Sequence, residues 1–348
     1  MKKRILSILL CLCMAACMLP TVAFAADKGK AIQLGTNALN KNVNTATAPT
    51  VYFGQDHGDN PGAWRVIGYD GNGAAGIAGN MTLLAANNMG LSKFGASNVY
   101  ADSDLKEEID TLAGKLTAKE TDAVEKRTLV SGSYNRENTD CVAGAQVDNA
   151  VFWPLSTAEA SAVNNDLRIL NKEYPNWAMY YWWLRSPGET PFSAAFVHGS
   201  GAVCYYGEYY DLVEYGVRPA FNLNLNSVLF TSAAVDRKPD GGLTPISEYT
   251  GNEWKLTLLD SSRSFAVTEK AVSGDPGDTL TLHYNGATTG ANEYISVIIA
   301  DNNGAQYYGR VAQPTEATGT VEIKIPSDIA PGSYTLKIFS EQYNGDYK

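Results

Sequence analysis

The chain has 348 residues, with 27 lysines and arginines against 37 aspartates and glutamates, and a formal net charge of −10. Because this excess of negative charge repels phosphate groups, and no basic stripe reverses it locally, the composition argues against nucleic-acid binding. The length is sufficient for two domains that each bury a core of their own.

The N-terminus has the three parts of a secretory signal peptide. Met1–Arg4 is basic, an apolar run follows over residues 5–23, and Ala23–Ala25 is a small-residue cleavage site. We therefore predict a signal peptide over residues 1–25 and a secreted, extracellular chain, either free or associated with the cell surface. Cleavage removes three of the 27 basic residues, which leaves 24 against 37 acidic ones and a net charge of −13.

Cysteine usage fits an extracellular chain that has no disulfide framework. After cleavage only Cys141 and Cys204 remain, and they are compatible with one bridge or with two buried thiols. In an alternative interpretation Cys17 is a lipid-attachment site, although Met14 fits that pattern poorly. No later run reaches the roughly 20 apolar residues that span a bilayer, so we expect no membrane insertion of the mature chain.

The first part of the mature chain has strand patterns at its two ends and helix patterns between them. Residues 26–49 are a polar lead-in, and the first domain is predicted over residues 50–231. Short apolar runs such as Trp64–Tyr69 are typical of strands, and Gly199–Gly201 is typical of a hairpin turn. Strands, then helices, then a larger antiparallel set predict an α+β domain.

The helix signals in this domain are specific. Leu105, Ile109, Leu112 and Leu116 form one apolar stripe at helical spacing, behind a cap at Asp102 or Ser103. Thr117–Glu120 and Ser156–Glu159 have the capping-box pattern, in which two side chains satisfy free backbone N–H groups at a helix start. We predict that the second of these helices runs to about Asn171.

The last third of the chain is predicted to be almost entirely strand. Residues 232–250 have the composition of a linker around Pro239–Gly242. Five short strands separated by turn residues then predict an immunoglobulin-like sandwich over residues 251–348. The polar tail after Asn344 stands where a closing strand is expected, so this part is either a fragment of a longer domain or a sandwich with an exposed edge.

Aromatic residues crowd the segment from Tyr180 to Asp211, and they supply the candidate ligand-binding site. Aromatic faces offer rigid contact area and attract cations, so they suit carbohydrate and protein ligands. Strand alternation places at most one of two adjacent tryptophans in the core. A structural interpretation competes with this one: Trp183, Arg185 and Arg218 could instead stabilise the fold, with the arginines paired to carboxylates or carbonyls. The candidate ligand-binding residues are Trp182, Trp183, Arg185, Tyr205, Tyr206, Tyr209 and Tyr210.

Six motifs follow one another along the chain: Trp64–Val66, Ser103–Leu105, Thr117–Glu120, Phe152–Ser156, Trp182–Gly188 and Gly216–Ala220. In this order they resemble a domain of unknown function from secreted proteins of Gram-positive gut bacteria. The last two are also similar to motifs of C-type-lectin-like folds, which include the formylglycine-generating enzymes. That resemblance implies a C-type-lectin-like α+β domain whose ligand face lies near the tryptophan motif.

The sequence assigns no catalytic residue, no metal site and no cofactor. A formylglycine-generating enzyme needs two closely placed cysteines, and Cys204 stands alone in the corresponding region. Asp56, Asp59 and Asn60 around His57 offer oxygen ligands for Ca²⁺, but their spacing matches no known loop. We therefore expect a non-catalytic protein that binds a glycan or an extracellular protein. The alternatives are a cysteine- or metal-dependent enzyme on the same fold and a purely structural segment of a larger surface protein.

Overall fold

The structure, a computed structural model, describes residues 7–10, 32–130, 146–170, 180–234, 238, 241–247 and 249–343. Cys141 and most of the predicted signal peptide lie outside these residues. The strands, numbered in chain order, are β1 (Ser7–Leu10), β2 (Ile32–Leu34), β3 (Thr50–Gln55), β4 (Pro61–Tyr69), β5 (Asn72–Gly73), β6 (Asn80–Ala85), β7 (Leu91–Ser92), β8 (Val124–Glu125), β9 (Arg127–Leu129), β10 (Val147–Ala150), β11 (Trp153–Pro154), β12 (Trp182–Pro187), β13 (Ser193–Val197), β14 (Val203–Tyr209), β15 (Tyr215–Gly216), β16 (Pro219–Asn224), β17 (Val228–Ala233), β18 (Thr244–Pro245), β19 (Glu253–Leu258), β20 (Ala266–Val267), β21 (Ala271–Ser273), β22 (Thr279–Asn285), β23 (Glu293–Asp301), β24 (Gly304–Ala312), β25 (Gly319–Lys324) and β26 (Ser333–Gln342). The helices are α1 (Asp104–Ala113), α2 (Ala118–Ala123), α3 (Thr157–Ala162) and α4 (Asn165–Arg168).

The α+β fold class predicted from the sequence is wrong. Strands account for 44% of the structure and helices for 13%, so the fold is closer to all-β. One reason is that the helices other than α1 have only four to six residues each. Another is that several strands, β7 and β8 among them, have two residues and no pattern that the sequence could reveal.

The helix starts follow the capping signals. The Ser103 hydroxyl accepts a hydrogen bond from the Lys106 backbone N–H, which confirms Ser103 as the cap of α1. Both predicted capping boxes, before α2 and α3, are present with both of their reciprocal hydrogen bonds. The prediction that the third helix reaches Asn171 is wrong, because Val163 is extended and ends α3 before α4 begins.

The larger of two compact units comprises Leu39–Leu229 and Asn252–Leu258. One of its sheets has the order β11-β16-β6-β4-β3-β19, and another has the order β14-β13-β12-β15-β7. β19 pairs in parallel with β3, so the strand that the sequence assigned to the second domain lies in this unit. The core of the first sheet is aromatic: the Trp64 ring is 4.7 Å from the Phe221 ring and 5.1 Å from the Phe152 ring.

The smaller unit comprises Met1–Ala38, Phe230–Gly251 and Leu259–Lys348. Its sheets have the orders β18-β24-β23-β26-β1-β21 and β20-β22-β25, and β2 pairs with β17. Every second residue of β22 is buried, beginning with Leu280, as period-2 patterning requires. Leu282 and Ile323 of one sheet join Val297 and Leu336 of the other in one apolar core.

A buried carboxylate organises the inside of the smaller unit. Glu341 accepts hydrogen bonds from the hydroxyls of Ser296 and Tyr308, at 2.5 and 2.6 Å. Lys238 and Arg310 lie 2.5 and 3.2 Å from its other oxygen. Burial disfavours the charged carboxylate, but Lys238 and Arg310 outweigh that effect and hold the pKa of Glu341 at about 2.

Candidate functional site

The tryptophan motif forms β12, the middle strand of its sheet, and all six residues of β12 are buried. Trp182 and Trp183 are both 0% exposed. The prediction that one of the two tryptophans points to solvent is wrong, because protein covers both faces of this sheet. Alternation along the strand still holds, since the two indole rings have different neighbours.

Trp182 is packed against a buried arginine. The Arg218 guanidinium lies 4.9 Å from the centre of the Trp182 ring. Its Nε, Nη1 and Nη2 atoms donate hydrogen bonds to the carbonyls of Ala85, Arg168 and Leu167, at 2.8, 3.1 and 2.7 Å. Burial, with a smaller contribution from Arg65, lowers the pKa of Arg218 to about 9. Arg218, the arginine of the Gly216–Ala220 motif, therefore acts within the core.

Trp183 belongs to an aromatic cluster on the other side of the strand. Its ring centre lies 4.7 Å from that of Tyr215 and 5.7 Å from that of Phe94. Its Nε1 donates a hydrogen bond of 2.9 Å to the Ser92 carbonyl. Both the apolar body and the polar tip of this side chain are thus satisfied inside the protein.

Arg185 is fully buried and forms an ion pair with Glu159. Glu159 also pairs with Arg127, and its Oε2 accepts a hydrogen bond of 3.0 Å from the Ser156 N–H in the capping box of α3. Arg185 donates a further bond of 2.9 Å to the Pro154 carbonyl. Burial opposes ionisation of Glu159, but the two arginines outweigh it and hold its pKa at about 2.

These contacts correct the candidate site. Trp182, Trp183 and Arg185 have no exposed surface, so a ligand outside the protein cannot touch them. The structural interpretation of the two motif arginines is confirmed, since Arg185 pairs with a carboxylate and Arg218 with carbonyls. The ligand-binding hypothesis then rests on the tyrosines of β14 and the turn that follows it.

The tyrosines of β14 face outward. Tyr205, Tyr206 and Tyr209 are 37%, 54% and 54% exposed, whereas Tyr210 is partly buried. Phe192 and Leu212 are also exposed, at 60% and 69%. The backbone brings the two sides of the hairpin together, because Tyr210 N donates a 3.3 Å hydrogen bond to Phe192 O. We call Phe192, Tyr205, Tyr206, Tyr209 and Leu212 the tyrosine patch.

A bulge explains how two consecutive strand residues are both exposed. Ala194 pairs with Glu208 and Phe196 pairs with Cys204, so three residues of β14 oppose the single residue Ala195. Gly207, in the bulge, has a φ of 85°. The extra residues break the alternation, and the Tyr205 and Tyr206 rings lie 6.2 Å apart at an interplanar angle of 73°.

The sequence did not indicate Phe192 and Leu212 as members of this surface. Neither residue belongs to an alternating pattern that marks a strand face. Pro191 before Phe192 and Asp211 before Leu212 are typical of turns, which is the one signal that places them outside the core.

Cys204 is a buried free thiol beneath the patch. Its Sγ lies 3.8 Å from the Ala202 carbonyl. Burial raises the pKa of this thiol, and a hydrogen bond with Tyr206 opposes the shift in part. A thiol is a nucleophile as the thiolate, so this environment disfavours the chemistry that a cysteine-dependent enzyme needs.

His198 lies in the turn between β13 and β14, where its ring makes two side-chain contacts. The Tyr181 hydroxyl is 2.9 Å from Nε2, and the Ser200 hydroxyl is 2.9 Å from Nδ1. Because Ser200 N–H also donates to Nδ1, at 3.1 Å, the ring proton is assigned to Nε2. The imidazole therefore ties the hairpin turn to the start of β12.

Oxygen atoms of the loop around His57 accept hydrogen bonds from the charged side chain of Lys115. The Lys115 ammonium donates to the carbonyls of Asp56 and His57, each at 2.9 Å, and to the Asp59 carboxylate at 2.7 Å. Of the side chains that the sequence offered to Ca²⁺, Asp59 is thus paired with Lys115, and the Asp56 carboxylate accepts hydrogen bonds from Asn60. Within the part of the chain that the structure describes, no group of three or more His, Cys, Asp or Glu side chains could hold a metal ion.

Comparison with known proteins gives one match. Residues 92–225 match the family model described as Domain of unknown function (DUF6273), which confirms the predicted resemblance at that level. No curated protein and no solved structure matches the chain, so the lectin-like resemblance has no structural support. The matched range contains both the Arg185–Glu159 pair and the tyrosine patch.

Among the described residues, no helix is long and apolar enough to cross a membrane.

We predict that Glu159→Gln destabilises the larger unit by about 3 kcal/mol at neutral pH, because it leaves Arg185 buried beside a neutral group. Since the pKa of Glu159 in the folded protein is about 2, below the ordinary value of 4.5, the pair stabilises the fold above roughly pH 4.5. That contribution is lost as the pH falls towards 2. Urea unfolding at several pH values measures both effects.

Glu120→Gln is the matched control for this change. Glu120 is 8% exposed, as is Glu159, and it closes the equivalent capping box of α2 through Thr117. Its hydrogen bonds are to backbone N–H groups and the Thr117 hydroxyl, so we expect a loss of about 1 kcal/mol. Equal losses in the two variants would show that the arginine pairing contributes little.

Gly207→Ala should lower the free energy of unfolding by about 2 kcal/mol. A Cβ at this position would lie 2.7 Å from the Ala194 carbonyl oxygen, on a backbone that side chains rarely adopt. Gly304→Ala has a φ of 110° with open space around the new Cβ, so it should cost less. If both variants unfold at the same denaturant concentration, the bulge does not constrain β14.

The Cys204 thiol should react slowly with a water-soluble disulfide reagent in the folded protein and at the normal rate after unfolding in guanidinium. The physical reason is that it is 5% exposed and its pKa is raised. Mass spectrometry of the labelled peptide follows this site separately from Cys141. Rapid labelling of the native protein would contradict the buried position and favour a reactive cysteine.

Proposed function

We propose that this is a secreted, non-catalytic protein that binds a carbohydrate or protein ligand through the tyrosine patch. The observation that carries the proposal is the bulged strand β14, which holds Tyr205, Tyr206 and Tyr209 at the surface. Several exposed aromatic side chains on one strand are a feature of surfaces that a partner covers. Tyrosine adds a hydroxyl that can hydrogen-bond to such a partner.

Two features of the chain support binding over catalysis. The thiol nearest the patch has a raised pKa, and the imidazole nearest to it has both nitrogens engaged by Tyr181 and Ser200. The N-terminal leader pattern supports secretion, and the strands after residue 260 then serve as a spacer or adhesive module.

The test compares patch variants in screens on a glycan array and against identified extracellular proteins. Tyr206→Ala and Tyr209→Ala should each weaken binding by about 30-fold, as truncation of a central aromatic contact does. Tyr206→Phe separates ring contact from hydrogen bonding, because it removes the hydroxyl alone.

Leu259→Ala is the matched control, since Leu259 is 54% exposed, as are Tyr206 and Tyr209, but lies outside the patch. Circular dichroism and thermal unfolding verify that each variant is folded. Binding that responds equally to Leu259→Ala and to the tyrosine variants, or that is absent in every screen, would reject the proposal.

A further inference from the structure

The charged residues next to the tyrosine patch in the sequence are acidic. From Ser186 to Val217 the sequence contains no lysine or arginine. The same stretch contains Glu189, Glu208, Asp211 and Glu214. Glu189, Asp211 and Glu214 are exposed, and Glu208 is partly buried.

The backbone places two of these acidic residues at the patch itself. Glu189 N donates a hydrogen bond of 2.8 Å to Tyr206 O, so Glu189 lies beside the bulge. Glu208 lies between Gly207 and Tyr209, and its carboxylate accepts a 3.0 Å hydrogen bond from Tyr209 N. The raised pKa of Tyr206, caused first by Cys204 and then in smaller part by Glu208, agrees with this proximity.

One cation lies on a neighbouring segment. Phe94 N donates to Tyr210 O at 3.0 Å, and Lys93 precedes Phe94 and is exposed. Among the described residues, the stretch from Ser186 to Val217 together with Lys93 carries four carboxylates and one lysine, so this part of the surface is negative. A ligand that carries positive charge is therefore favoured, whereas an anionic ligand is repelled.

Ring geometry separates a cationic partner from an uncharged sugar. The Tyr205 and Tyr206 rings meet at 73°, so the two rings form no common plane on which an extended oligosaccharide could stack. A guanidinium needs one ring face and a nearby carboxylate. The protein makes such contacts itself: Arg310 lies 5.2 Å from the Tyr294 ring centre and 4.8 Å from that of Tyr343, and it pairs with Glu341.

From this surface we infer that the partner is an arginine-bearing, basic polypeptide segment, bound by its guanidinium groups on the tyrosine rings and beside Glu208 and its acidic neighbours. The inference rests on the proposed function, because it uses the same patch. The Tyr206 carbonyl already accepts hydrogen bonds from Glu189 N and the Ser193 hydroxyl. The partner therefore contacts Tyr206 through its side chain.

The experiment titrates the full-length mature protein with four probes by calorimetry: a peptide of alternating arginine and glycine, its lysine and glutamate counterparts, and an uncharged hexasaccharide. The arginine peptide should bind best, and high salt should weaken it. Glu208→Gln with Glu214→Gln should reduce its affinity by about tenfold. Glutamine at position 208 can still accept the Tyr209 N–H bond, so the double change alters charge and preserves that contact.

Glu316→Gln with Glu322→Gln is the matched control, because both are exposed carboxylates in the smaller unit. It should leave the affinity for the arginine peptide unchanged. Lys93→Glu should increase that affinity, since it removes the neighbouring cation.

Two outcomes would overturn the inference. If the hexasaccharide binds with loss on Tyr206→Ala but no change on Glu208→Gln with Glu214→Gln, the patch binds ligands and the basic partner is wrong. If the arginine peptide binds equally to the patch and control variants, its attraction is general to the acidic protein and the inference again fails. The proposed function is judged separately, by the loss of any ligand on Tyr206→Ala and Tyr209→Ala.

Discussion

Arg185 lies fully buried in the middle strand of its sheet, and its charge is paired with the carboxylate of Glu159. Because a buried charge without a partner is strongly destabilising, this pair fixes α3 against β12. Glu159 is itself held by the Ser156 cap, so a local helix signal and a long-range ion pair share one side chain. The smaller unit uses the same solution around Glu341, which lies between Lys238 and Arg310.

This arrangement reverses the first impression from the sequence. The motif residues Trp182, Trp183 and Arg185 are the most conspicuous in the chain, yet they are the interior of the larger unit. The exposed aromatic residues lie instead on β14 and the segments next to it. The matched domain of unknown function includes both parts, so its core and its candidate binding surface are carried by one segment.

Structure that depends on interactions between residues close in the sequence could be predicted, whereas structure that depends on tertiary packing could not. The capping residues predicted the helix starts because their interactions lie within four residues. Of the predicted apolar stripe, Leu105, Ile109 and Leu112 lie buried in α1, whereas Leu116 lies beyond its end at Ala113. Strand alternation predicted β22 correctly, since one of its faces is open to solvent. It failed at Trp182 and Trp183 because both faces of β12 are covered, and at Tyr205 and Tyr206 because the bulge adds residues. The packing that covers both faces of β12 has no signature within that segment, whereas Gly207 is a local sign of the bulge in β14.

The buried ion pair keeps the tryptophan motif inside the larger unit, and the bulge in β14 keeps the tyrosines outside. Hydroxyl-radical footprinting of the folded protein, read by mass spectrometry, measures the accessibility of each side chain in one experiment. We expect rapid oxidation at Tyr206 and Tyr209 and strong protection of Trp182 and Trp183. Oxidation of either tryptophan at a rate comparable with those tyrosines would contradict it.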